Sequence, residues 1–293
     1  MINFMIGNHT EPEHAREFLS NYLKNFDDFN YQFSLDLKKN KINVILEEFT
    51  DVSFREEVKK MKKNHPKTKF LVLFSEHLTK FEKSYTFNYF DDLAPLDFQI
   101  YMKKRFLAFE DIINSIDVIF ALDEQDEIDL RRYYKKKVLY LIPFAPLIKN
   151  KNQFGVGVSG EFTPYRKKKC EEYKKEIYIK NNFDDFIIQK SHFIKRKEFL
   201  SYSIHIPKNE KWFFHSVIKY ILSITNSEIP FISKKLSGKI ANLLCLNLDK
   251  LNDLNKEKNY EYFLNKINNQ ITEYQKFFIK NQTRVSSEIK KLI

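Results

Sequence analysis

The amino-acid sequence predicts an α/β protein built as two doubly wound parallel-sheet lobes with a helical C-terminal tail. Three observations carry that expectation. Short apolar runs alternate with helix-patterned stretches at a spacing that suits parallel strands joined by crossover helices. The alternation is interrupted near the middle by Pro143, Phe144, Ala145 and Pro146, followed by a polar stretch at 149–153, and then restarts. The chain has only five glycines, and three of them, Gly155, Gly157 and Gly160, fall directly after that restart. Glycine is needed where the backbone turns through positive φ or where another group must approach the chain closely.

Composition sets the outer limits. The 293 residues suffice for one large domain or two ordinary ones, and a hydrophobic content of 43% supports real cores. The net charge of +11 favours anionic partners such as nucleotides or acidic membrane surfaces. Nucleic acid is not expected: the basic runs at 135–137 and 167–169 are short, acids are interleaved, and no zinc-finger, RNP or basic-zipper pattern occurs. Cys170 and Cys245 stand far apart without metal-type spacing, as in a reduced chain. The first ten residues have no charged n-region and no long apolar core, and no apolar run reaches membrane-spanning length, so a cytoplasmic protein is expected, at most peripheral on the inner face of the cytoplasmic membrane.

Taken in order, the run 2–6 is a first strand. Thr10 then caps a helix that Pro12 and flanking acids open and that reaches about Leu23. Strands follow at 43–47 and 70–74, with a helix at 54–63 between them. The aromatic and Asp-rich stretch 79–95 reads as an irregular loop. A helix at 101–115, a strand at 118–122, a helix at 125–134 and a strand at 138–142 complete the first lobe. In the second, a strand at 154–158 leads into a glycine turn and a helix that Pro164 opens. Then come a short strand at 177–179, shorter elements at 186–189 and 193–200, a strand at 203–206, an amphipathic helix at 212–225 and a strand at 230–232. Helices at 240–248, 260–268 and 271–280 form the tail. The boundaries read as 1–147 for the first lobe, 148–250 for the second and 251–293 for the tail, with a central cleft between lobes.

The stretch from Phe154 through Gly160 to Thr163, Pro164, Tyr165 and Arg166 is a strand, glycine turn and helix N-terminus, which offers free N–H groups and a positive dipole end to a phosphate. Its spacing is neither the dinucleotide fingerprint nor the P-loop. The alternative is a hairpin whose glycines only serve turns. With the later segments Ser203 to Pro207, Phe214 to Leu222 and Glu228 to Ile232, the order resembles the nucleotide-binding half of a bacterial GT-B glycosyltransferase of the surface-polysaccharide or lipopolysaccharide type. The stretches 114–123 and 137–146 resemble the last strands of the acceptor lobe in that family, which implies two Rossmann-like lobes.

The resemblance implies transfer of a sugar from a nucleotide-sugar donor to a glycan or glycolipid acceptor, with helix N-termini and cations neutralising the leaving phosphate and no metal or other cofactor. Neither Asp91 and Asp92 nor Asp184 and Asp185 have Asp-x-Asp spacing. The Glu-x7-Glu that retaining members carry on the donor side is absent from the second half of the chain, which points to inversion. Donor contacts are expected from Gly160, Thr163, Tyr165, Arg166, His215, Ser216 and Lys219. A catalytic base belongs just past the carboxyl end of a strand in the first lobe. Glu76 leads, followed by Glu48 and His9, with Asp123 meeting the same condition. His205, inside an apolar strand, reads as a core histidine. The rival readings are a non-catalytic α/β binding or scaffold protein and a basic nucleic-acid-binding protein.

Overall fold

The computed structural model describes residues 1–5, 19–46, 48–74, 78–81, 84–87, 96–151, 155–159, 163–181, 185–189, 201–207, 217–232, 240–247 and 259–293. The chain forms two compact units, Met1–Ile142 with Lys280–Ile293, and Pro143–Ile279.

The first unit holds a six-stranded, wholly parallel sheet. Its strands are β1 (Ile2–Met5), β2 (Tyr31–Ser34), β3 (Ile42–Ile45), β4 (Lys69–Phe74), β7 (Val118–Ala121) and β8 (Lys137–Tyr140), in the order β2-β1-β3-β4-β7-β8. Near-continuous apolar runs such as Phe70 to Phe74 suit strands buried on both faces. Strand β2 was not expected. Its apolar–polar alternation, Tyr31, Gln32, Phe33 and Ser34, is the signal for a half-exposed edge strand, and that is where it lies. A polar ladder sets its register: Gln32 donates to Asn3 at 3.1 Å and Asn3 donates to Asn43 at 3.0 Å, across three neighbouring strands.

The helices of this unit are α1 (Val52–Asn64), α2 (Leu96–Ile112) and α3 (Glu124–Tyr134), and residues 19–23 are also helical. Asp51 caps α1 by accepting from the Phe54 N–H at 3.0 Å, and Asp123 caps α3 by accepting from the Gln125 N–H at 2.8 Å. Asp123 therefore serves as a cap. Phe109 of α2 centres one core layer, with Phe49, Phe74 and Tyr134 at ring separations of 5.4, 5.3 and 5.4 Å. The stretch expected as an irregular loop contains an antiparallel hairpin, β5 (Leu78–Phe81) and β6 (Ser84–Phe87). Thr and Phe in both arms, with Tyr85 in the second, suit the pairing.

The second unit repeats the design with β9 (Gly155–Ser159), β10 (Asp185–Gln189), β11 (Tyr202–His205), β12 (Ile229–Ile232) and β13 (Leu246–Asn247), all parallel, in the order β10-β9-β11-β12-β13. Its helices are α4 (Pro164–Asn181), α5 (Val217–Thr225) and, as far as Ile279, the long α6 (Tyr260–Lys290). Alternation along β11 sends Tyr202 against Tyr260 of α6 and His205 against Tyr220 of α5.

Three expectations are corrected here. The run 177–179 is no strand but the last part of α4, because extending an existing helix costs far less than nucleating a new element. The helix expected at 240–248 is a 3-10 turn at Ala241–Leu244 followed by β13, which pairs with Phe231 and Ile232. The helices expected at 260–268 and 271–280 are one continuous 31-residue helix. Asn268 does not break it, because its side chain is used elsewhere. Its oxygen accepts from the Ile148 N–H at 2.8 Å and its amide donates to the Ile148 carbonyl at 3.1 Å. Tyr274 and Gln275, one to two turns on, donate to the carbonyls of Pro143 and Ala145 at 2.6 and 2.8 Å. The proline-rich segment is thus held to α6 along its length. Residues 280 onward belong to the first unit, where Asn281 accepts from the Ile142 N–H at 3.2 Å and Ser286 donates to Asp28 at 2.6 Å.

Candidate functional site at the carboxyl edge of the second sheet

The strand order of the second unit contains a reversal. From β9 the chain winds outward to β10, then crosses back to β11 and continues the other way through β12 and β13. The connections after β9 and β11 therefore leave in opposite directions, and the crevice that opens at their carboxyl ends is the usual ligand position in open parallel sheets. The first unit has the same reversal between β1 and β3.

Helix α4 starts beside this reversal, after β9. Thr163 stands immediately before Pro164, and its hydroxyl accepts from the Arg166 N–H at 3.2 Å while its carbonyl accepts from the Lys167 N–H at 2.9 Å. Proline fits the first helical position because it lacks an N–H the helix could not use there. This start coincides with the one the sequence predicts. Gly155 and Gly157 lie within β9, one residue later than the expected strand, and both are buried between β10 and β11. Without side chains there, neighbouring elements can pack directly on the backbone.

Arg166 is the best-defined polar group of the site. It is 2% exposed, and its guanidinium donates through Nε and Nη2 to the Ile206 carbonyl at 3.0 and 2.8 Å. This fork ties the first turn of α4 to the chain just past the end of β11, on the two sides of the strand-order reversal. Its positive charge is held in a desolvated setting, where fixed charges act more strongly than in water. One turn further along α4, burial pushes the Cys170 thiol up to about 11, partly offset by the nearby Arg166 cation.

The other expected donor contacts are distributed around this frame. Tyr165 is half-buried in the first turn of α4. Lys219 is half-buried on α5, the helix that follows β11. Ser216 is the residue before α5, and Ser216, His215 and Gly160 lie outside the described residues. His205 ends β11 as a buried residue, with Nε2 3.2 Å from the Ser223 hydroxyl and 3.4 Å from the Ser203 hydroxyl. It faces α5 from inside the core, as its apolar strand context predicts.

In the first unit, Glu48 opens a 3-10 turn after β3, but its side chain lies outside the described residues, as do Glu76 after β4 and His9 after β1. The structure adds Arg105, which sequence reading did not single out. It is 4% exposed on α2, with its guanidinium carbon 5.4 Å from the centre of the Phe49 ring, in the turn that follows β3. The available signal was a cation on the apolar side of the stretch 101–109. Among the described residues, no group of three or more His, Cys, Asp or Glu side chains is placed to hold a metal ion, and no helix is long and apolar enough to cross a membrane. No protein-family model matches the chain, and no curated protein matches it either.

Proposed function

We propose that the protein is a metal-independent glycosyltransferase that moves a sugar from a nucleotide-sugar donor to a glycan or glycolipid acceptor with inversion. The supporting observation is the frame at the carboxyl edge of the second sheet. There a strand-order reversal, a Thr-capped helix N-terminus and a buried Arg166 fork meet. The positive dipole end at the start of α4 suits the donor diphosphate. Arg166 positions the chain past β11 and adds positive potential, and Tyr165, Lys219, His215 and Ser216 complete the donor contacts.

The reaction joins the acceptor oxygen to the anomeric carbon as the bond from that carbon to the phosphate oxygen breaks. The acceptor proton passes to a base drawn from Glu76, Glu48 or His9, and the departing nucleoside diphosphate takes the bonding pair. Charge grows on the leaving phosphate, so the dipole end of α4 and a desolvated cation lower the barrier without a bound metal.

Thermal melting of the full chain with UDP, GDP, CMP, ADP and dTDP, with and without magnesium, tests this reading. A ligand that binds only the folded state raises the midpoint by mass action. One nucleotide is expected to raise it independently of magnesium. An unchanged midpoint with all five, together with no sugar-nucleotide hydrolysis, overturns the donor-site assignment.

A further inference from the structure

In a parallel sheet all strands begin at one edge and the crossover helices end there, so residues far apart in sequence collect on a single face. In the first unit these positions are filled by lysines. Lys39 and Lys41 precede β3, Lys63 closes α1, Lys67 precedes β4, and Lys135 follows α3 just before β8; all five are exposed. Backbone contacts fix the neighbourhood: Lys69 N–H donates to the Lys41 carbonyl at 3.0 Å, and Asn40 N–H donates to the Thr68 hydroxyl at 2.9 Å.

Three of the acids nearby are already engaged, whereas Asp27, exposed just before β2, shows no ion pair among the described residues. Asp117 takes Lys62 at 2.6 Å and the Phe70 N–H at 2.9 Å, Glu288 takes Lys137 and Lys291, and Asp28 takes Ser286 and Lys290. Among the described residues, Lys39, Lys41, Lys63, Lys67 and Lys135 show no ion pair. Cations at helix C-termini normally complement the helix dipole, which accounts for Lys63 and for Lys135, the C-cap of α3. Lys39, Lys41 and Lys67 precede strands and end no helix, so the dipole does not explain them. Two exposed apolar residues share this edge: Met1, just before β1, and Tyr31, the first residue of β2, at 49% and 40% exposure.

We propose that the amino edge of the first sheet is a docking face for an anionic lipid surface, with these five lysines meeting lipid phosphates and Met1 and Tyr31 entering the headgroup layer. The inference does not rest on the transferase reading. Lipid is favoured over nucleic acid because the cations at the strand starts are all lysines, point charges suited to a diffuse anionic plane, whereas arginine supplies the forked phosphate and base contacts. Apolar side chains among cations fit an interface of lipid and water.

The test is co-sedimentation of the full chain with phosphatidylcholine vesicles, alone or containing phosphatidylglycerol. Binding is expected only to the anionic vesicles and is expected to weaken as salt shortens the screening length. A lysine close to such a surface contributes on the order of a fivefold gain in partition, so Lys39→Gln, Lys41→Gln, Lys67→Gln and Lys135→Gln together are expected to lose roughly several hundredfold at low salt. The matched variant Lys167→Gln, Lys168→Gln, Lys174→Gln and Lys175→Gln on α4 removes the same charge from the second unit and is expected to bind far better than the edge variant. Equal losses in the two variants, or equal binding to both vesicle types, overturn the proposal. So does displacement by millimolar glycerol phosphate, which would mean a discrete phosphate site, or tighter binding to duplex DNA at the same salt.

Discussion

Replacing Arg166 by methionine is the most informative single perturbation of this chain. Methionine keeps much of the apolar stem and removes the fork that holds the Ile206 carbonyl through Nε and Nη2 at 3.0 and 2.8 Å. Because the side chain is 2% exposed, water cannot readily replace it. A hydrogen bond from a charged donor contributes on the order of 1.5–3 kcal/mol net, and an orphaned buried acceptor costs about 1–3 kcal/mol. The two bonds share one acceptor, so these terms overlap, and the expected loss is about 3 kcal/mol. Lysine at this position keeps the charge but offers a point donor in place of a fork, so Arg166→Lys is expected to lose about half as much. Urea unfolding followed by fluorescence is the assay. The chain has a single tryptophan, Trp212, within the span of the second unit, so the signal reports on the unit that carries the fork. At an unchanged slope the loss appears as a shift of the midpoint. A methionine variant that unfolds within about 0.5 kcal/mol of the parent would refute the claim that the fork holds the carboxyl edge together.

Other outcomes follow from the same structure. Thr163→Ala removes the cap of α4 and is expected to cost about 1 kcal/mol, read from the same urea curves, whereas Thr163→Ser is expected to be near neutral. Phe109→Ala opens the centre of the first core and is expected to cost about 3–5 kcal/mol, seen as a large fall in melting temperature. Ser286 and Lys290 hold the Asp28 carboxyl below its usual range, and Lys59 and Arg55 do the same for Asp111. Carboxyls held low in the folded state add stability above the usual carboxylate range and lose it as pH falls through their folded values. The acid limb of the stability–pH curve is accordingly expected to flatten in Asp111→Asn. Burial raises both thiols, Cys170 to about 11 and Cys245 further, so neither is expected to react with a thiol reagent at pH 8 until urea unfolds the chain.

Local chemistry was enough to read the parallel grammar of the chain, because buried strands must be apolar runs and helices must be capped. The runs at 70–74 and 118–122, the Pro164 helix start and the core reading of His205 all follow from residues acting on near neighbours. Tertiary structure decided what these residues do. Arg166 is a clamp because the end of β11 lies across the strand-order reversal, a pairing between residues 40 positions apart that no local pattern encodes. Asn268 stays helical because Ile148 takes its side chain, and the stretch 240–248 is no helix because β12 offers it an edge to pair with. The lysines at 39, 41, 63, 67 and 135 look scattered in sequence, and only the shared direction of the strands gathers them at one edge. Composition and short-range pattern set which elements form. Which end of which element meets which depends on strand order, and strand order is fixed by burial summed over the whole chain.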